Sequence, residues 1–123
     1  MFIRGRRLRK SKGIRNLVQE TNITVNDLIL PIFVIEGKNK IENIPSIPGI
    51  KRKTIDNHLK DIKLAIILGI NAIIIFPVVP NKKKNKKATE ATNKNGLLPL
   101  AIKTIKKQFP ELVVISDIAL DPY

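Results

Sequence analysis

Apolar positions along this chain alternate between two patterns. Leu28 to Ile35 (LILPIFVI) is a continuous apolar run of strand length, suited to burial on both faces. Pro31 within it argues for a sheet edge or an irregular pairing, because proline brings no N–H to a ladder. A loop rich in turn formers follows, from Glu36 through Pro45, Pro48 and Gly49. Thr54 then stands as a helix N-cap. Ile55, Leu59, Ile62 and Ile66 fall at i, i+4, i+7 and i+11, one apolar stripe with Asp56, Lys60, Asp61 and Lys63 mostly off it. His58 falls on the polar side of this helix and reads as a surface histidine. The helix should end near Gly69, a favoured C-terminal residue. Ala72 to Phe76 (AIIIF) is short, β-branched and apolar on both faces, as expected of a parallel strand covered by helices on each side.

The pattern then repeats. Asn95 can cap a helix in which Leu98, Ile102, Ile105 and Phe109 reproduce the same stripe, with Pro99 in its tolerated first turn. Pro110 stops it, and Leu112 to Ser116 (LVVIS) begins a third buried strand. The order β, α, β, α, β predicts a parallel sheet with right-handed crossovers. The strand centres, near Ile32, Ile75 and Val114, lie 43 and 39 residues apart. Eight such units need roughly 330 residues, within the range of a TIM (β/α)8 barrel. The fold expected is therefore α/β: the first three units of such a barrel over residues 14–123, preceded by a basic arm over 1–13. An open doubly wound sheet is the alternative, but no G-x-G-x-x-G or G-x-x-x-x-G-K-[ST] follows any strand.

Composition narrows the chemistry. The 123 residues are 43% hydrophobic and 27% charged, which excludes wholesale disorder and low complexity. With no Cys and one His, thiol nucleophiles, C-x-x-C pairs and zinc fingers are excluded too. A net charge of +13 suggests nucleic acid or an anionic membrane, yet Ile, Lys and Asn supply 22, 17 and 11 residues, the bias expected of A- and T-rich codons. No apolar stretch of signal-peptide length follows the basic Met1 to Gly13, so the expected location is cytoplasmic. Leu64 to Pro80 is free of charge over 17 residues, the lower limit for a membrane span. Gly69, Asn71, Pro77 and Pro80 interrupt it, and its period changes at Gly69, so it reads as a helix end and a buried strand.

Arg4, Arg6, Arg7, Arg9, Lys10, Lys12 and Arg15 have no acid among them, which predicts an extended arm seeking a partner surface. Lys82, Lys83, Lys84, Lys86 and Lys87 read as a solvated loop, since no aromatic platform for a nucleic-acid base lies beside them. Chemistry in parallel α/β folds gathers at the carboxyl ends of the strands. There, Asp117 and Asp121 stand at i and i+4, on one face of a strict strand. Such a pair can bind an ammonium group or cation, or perturb each other's pKa; equally, Asp121 can merely cap a turn before Pro122.

Several stretches resemble one family, porphobilinogen synthase, also called delta-aminolevulinate dehydratase. Arg6-Arg7-Leu8-Arg9 is similar to its R-R-L-R, and Leu28-Ile29-Leu30-Pro31-Ile32-Phe33-Val34 to its first strand. Ile44-Pro45-Ser46-Ile47-Pro48-Gly49 resembles its I-P-S-M-P-G loop. Ser116-Asp117-Ile118-Ala119-Leu120-Asp121-Pro122-Tyr123 is similar to its T-D-V-A-L-D-P-Y, with Phe109-Pro110-Glu111-Leu112 ahead of it. Where the family reads E-A-Y-N-x-[DE]-G, this chain has Glu90-Ala91-Thr92-Asn93-Lys94-Asn95-Gly96, without the aromatic and the acid.

The resemblance implies a lyase that condenses two 5-aminolevulinate molecules into porphobilinogen for tetrapyrrole and haem synthesis. It implies a TIM barrel whose N-terminal arm embraces a neighbouring subunit, commonly in a homo-octamer. Asp117 and Asp121 become substrate-binding residues. No catalytic residue falls in this chain, because the family's Schiff-base lysines and its T-S-H-G lie beyond residue 123, so the chain alone is expected to be inactive. Zinc-dependent members carry cysteines where this chain has Ala119 and Asp121, which implies a magnesium-type metal in the full-length enzyme and no complete metal site here. Nucleic acid and membrane are not expected partners. The competing readings are a basic nucleic-acid-binding module and a membrane-associated fragment.

Overall fold

The computed structural model describes residues 5–120 and 123. Arg4 of the arm, and Asp121 and Pro122 of the tail, lie outside the described residues. Five strands form one sheet: β1 (Leu30–Val34), β2 (Ile41–Asn43), β3 (Lys51–Lys53), β4 (Ala72–Pro77) and β5 (Val113–Ser116). Their order is β2-β3-β1-β4-β5, with β2 antiparallel to β3 and the rest parallel. Three helices accompany them: α1 (Lys12–Leu17), α2 (Ile55–Ile67) and α3 (Leu97–Gln108).

The expected strands are present as β1, β4 and β5, but the sheet is larger than the expected three. The loop of turn formers after β1 holds β2 and β3, which read Ile-Glu-Asn and Lys-Arg-Lys. One exposed isoleucine, Ile41, in two three-residue strands makes no apolar run, so only pairing reveals them. Nor is β1 at an edge, since β3 lies on one side and β4 on the other. Pro31 is tolerated because β3 pairs with β1 only at Phe33 and Val34, leaving Pro31 opposite Ile74 of β4 alone.

Helices cover only one face of the sheet. Ile32 and Val34 of β1 and Ile73 and Ile75 of β4 form a single core with Ile62 of α2 and Ala101 and Ile105 of α3. The alternate residues Phe33, Ile74 and Phe76 stay half-buried on the other face. Ile32 and Ile75 thus face the helices, and the strands are not covered on each side. From β1 through β4 to β5 the sheet order advances in one direction, so crossovers of one hand put both helices on one side. That is barrel-like winding; a doubly wound sheet reverses and covers both faces.

The stop of α2 is as the sequence predicts. Gly69 has φ +91°, and two bonds close the turn: Gly69 N–H to the Ile66 carbonyl and Ile70 N–H to the Ala65 carbonyl, each 2.9 Å. A side chain there would also meet Val25 at 3.1 Å. The charge-free stretch Leu64 to Pro80 thus resolves into the end of α2, this turn and β4, and no helix among the described residues is long and apolar enough to cross a membrane.

Two caps differ from expectation. Thr54 is at the N-cap of α2, but its fully buried hydroxyl accepts from Lys40 N–H (3.1 Å) and Asn57 Nδ2 (3.3 Å) and makes no bond to a helix N–H. It ties the β2 side of the hairpin to the helix instead. Gly96, not Asn95, precedes α3, and a Cβ there would sit 3.0 Å from the Asn93 carbonyl oxygen. Asn95 N–H is taken by the Asn93 side chain (3.0 Å).

The basic N-terminal segment is not extended among the described residues. Arg7–Arg9 forms a 3-10 turn, and Ser11 caps α1 by accepting from Ile14 N–H at 3.2 Å. From Gly5 to Ile29 every residue but the half-buried Ile14 is exposed, so the core begins at Leu30.

Candidate active site

The carboxyl ends of β1, β4 and β5 meet around an open hollow of about 240 Å³, lined by Phe33, Phe76, Pro77, Asp117, Ala119 and Tyr123 among others. Its floor is a pair of stacked rings, Phe33 and Phe76, with centroids 5.3 Å apart and planes 23° apart. The pairing is a product of register: Phe33 lies directly opposite Phe76 in the β1–β4 ladder, on the face the helices leave open.

Asp117 follows the last residue of β5 and is exposed at this hollow. The strand stops at Ser116, so the two-residue alternation that would place Asp117 and Asp121 on one face does not continue into the tail. Asp117 stands at the expected place; Asp121 lies outside the described residues. Tyr123 lines both this hollow and a smaller neighbour of about 60 Å³, and its N–H donates to the Leu120 carbonyl at 3.1 Å. Burial, with a smaller contribution from the charge of Glu90, raises its phenol above the usual tyrosine range.

A polar cluster beside the hollow was not legible in the sequence. Lys83 Nζ donates to Glu36 Oε1 at 2.6 Å and approaches Glu90 Oε1 at 3.4 Å, while Glu90 Oε2 accepts from Asn93 Nδ2 at 3.1 Å. The hydrogen bond to Glu36, followed by the charges of both glutamates, raises the Lys83 pKa. One member of the solvated lysine run is thereby withdrawn to pin the β4–α3 loop to the end of β1. Glu36 and Lys83 are 47 residues apart, and only the sheet brings them together. The glutamate of the E-A-T-N stretch gives half of the signal that could have found it.

His58 contradicts its expected place. It is buried, 3% exposed, and bonds the Phe33 carbonyl at 2.9 Å. The buried residues of α2 are Asn57, His58, Ile62 and Ala65. Ile55, Leu59 and Ile66 pack at the flank, so the core-facing stripe is rotated about one residue from the aliphatic one.

Neither carboxylate set fits a metal by itself. Glu36 and Glu90 converge, but the Lys83 ammonium already occupies the cation position between them. Asp117 is the one acid lining the larger hollow among the described residues, and these contain no group of three or more His, Cys, Asp or Glu side chains able to hold an ion.

A mostly parallel α/β sheet wound on one side, with an aromatic floor and a carboxylate at its strand ends, has the layout of proteins that bind small molecules at that end. Comparison with known proteins is consistent across the chain. A family model described as delta-aminolevulinic acid dehydratase matches residues 2–123. The delta-aminolevulinic acid dehydratase of Bradyrhizobium diazoefficiens is 41% identical over 123 residues, covering 100% of this chain and 35% of the relative. That of Chlamydia pneumoniae is 43% identical over 120 residues, covering 98% and 36%. The crystal structure of the Toxoplasma gondii enzyme, in complex with its reaction product porphobilinogen, matches with a TM-score of 0.89 at 40% identity, covering 100% of this chain and 35% of that one. The chain belongs to the delta-aminolevulinic acid dehydratase family. It spans about a third of the length of these relatives.

Proposed function

We propose that this chain forms the N-terminal third of a TIM-barrel porphobilinogen synthase, a cytoplasmic lyase that condenses two 5-aminolevulinate molecules with loss of two waters. The observation that carries this reading is the match along the whole chain to a structure holding porphobilinogen, with Asp117 and the Phe33–Phe76 floor at the strand ends where a barrel enzyme binds its ligand. The open sheet face becomes the wall of the barrel interior. Asp117 and Asp121 are its substrate-binding carboxylates, acceptors for the ammonium group of 5-aminolevulinate. The lysines that form imines with the keto group lie beyond residue 123. An imine activates the keto acid because its protonated form withdraws electrons better than a ketone. A magnesium-type ion in the complete enzyme agrees with Ala119 and Asp121 replacing soft ligands, and no step here is assigned to it.

In the complete protein, Asp121→Ala or Asp117→Ala removes an acceptor for a charged donor, worth about 1.5–3 kcal/mol. That corresponds to a roughly ten- to hundredfold loss in kcat/KM. The exposed position of Asp117 predicts an unchanged unfolding midpoint. Unaltered turnover and substrate affinity in both variants would remove these residues from the site.

The basic N-terminal segment is the proposed contact with a neighbouring subunit in a homo-oligomer. From Gly5 to Gly13 it is exposed and acid-free, and among the described residues none of its cations pairs with an acid. Deleting residues 1–12 from the complete protein should shift sedimentation to smaller species. An identical sedimentation profile would assign the segment another role.

A further inference from the structure

The chain's one histidine lies behind the candidate site, on the helix side of the strand that carries Phe33. A carbonyl oxygen only accepts, so the bond to Phe33 requires the proton on His58 Nε2. Neutral His58 then presents Nδ1 as a bare lone pair. This atom is buried without a hydrogen-bond partner, and it faces Asp61 Oδ2 at 3.5 Å. Two acceptors do not attract one another. Lys53 resolves the conflict, because its Nζ holds the same Oδ2 at 2.6 Å. The charged groups facing the imidazole are thus Asp61 from α2 and Lys53 from β3, while β1 contributes the neutral carbonyl. Lys51 of β3 lines the same hollow of about 300 Å³. That hollow opens where β3 no longer pairs with β1, and it gives water and protons a route to the cluster.

We propose that His58 is a positioning residue for the candidate site. In its Nε2–H form it grips the Phe33 main chain from the helix side and so sets the Phe33–Phe76 pair on the opposite face, while Lys53 restrains Asp61 from drawing a proton onto Nδ1. This inference rests on reading the strand-end hollow as the substrate's site. Burial lowers the His58 pKa from its ordinary value of 6.5, opposed by the Phe33 carbonyl and Asp61 and assisted by Lys53. The unfolded chain therefore takes up the proton first as pH falls. The contribution of His58 to stability is full above pH 6.5 and is lost as pH falls below it.

Loss of signal in His58→Gln identifies the imidazole, which makes the test direct. Nitrogen-15 and carbon-13 NMR of the complete protein should show the Nε2–H tautomer of His58 at neutral pH, titrating below 6.5. The Phe33 and Phe76 ring signals should shift with the same midpoint. His58→Gln, which keeps a donor for the carbonyl, should preserve the ring signals without the titration; His58→Leu should disperse them. Lys53→Met frees Asp61 to attract the proton and should move the midpoint up. An Nδ1–H tautomer, a midpoint at or above 6.5 in the unaltered chain, or ring signals identical in His58→Leu would overturn the assignment. None of these measurements uses substrate. Ring signals that follow His58 but ignore added 5-aminolevulinate in the complete protein would sink the substrate reading and leave the role of His58 supported.

Discussion

Incubated with 5-aminolevulinate and borohydride, the 123-residue chain is expected to carry no site-specific lysine adduct and to form no porphobilinogen. An imine needs an unprotonated amine beside a bound keto group, and two of the lysines at the strand ends and hollows, Lys83 and Lys53, are committed otherwise. Lys83 is held between Glu36 and Glu90 with its pKa raised, first by the hydrogen bond to Glu36. Lys53 is held by Asp61. Among the described residues no lysine lines the hollow at Asp117. An ammonium group has no lone pair to attack a carbonyl. The complete protein, supplying the proposed later lysines, should be trapped at one of them, and the difference is all or none by mass spectrometry. A single modified lysine in the isolated chain would relocate the chemistry into this third of the protein.

Replacing Ile75 by Ala in the complete protein should cost about 2–5 kcal/mol, a large part of the roughly 5–15 kcal/mol that holds a folded domain together. Ile75 has no exposed surface, sits opposite Ile32 and Ser116 in the two ladders, and belongs to the core shared by both helices. Truncation leaves a cavity that neither neighbouring strand can close without breaking its register. Ile67→Ala on α2, at a position 71% exposed, is the matched control and should change little. Urea midpoints compare the two. Equal shifts would mean that the core does not lie between the sheet and the helices.

The linear pattern was sufficient for the central βαβαβ order, because a run such as Ala72 to Phe76 and a stripe such as Leu98, Ile102, Ile105 and Phe109 each fit one kind of element. The stop at Gly69 was legible for the same local reason, a residue free to take φ +91°. Motif resemblance placed the chain in its family, and the apolar run Leu112 to Ser116 put Asp117 at a strand end. Other features depend on partners distant in the chain. Lys51–Lys53 is a strand only because β1 and β2 pair with it. The open face belongs to Phe33 and Phe76 because both crossovers lie on the opposite side. Lys83 finds Glu36 across 47 residues. His58 looked like a surface residue because a polar side chain among Asp56, Lys60 and Asp61 suggests solvent. What buries it is the Phe33 carbonyl, an acceptor that no side-chain pattern displays, and the rotation of α2 against β1 that brings the imidazole to it. Local propensity and periodicity determined which elements form; which face each presents, and which charges meet at the strand ends, were decided by packing, where each contact is chosen by chain segments far apart.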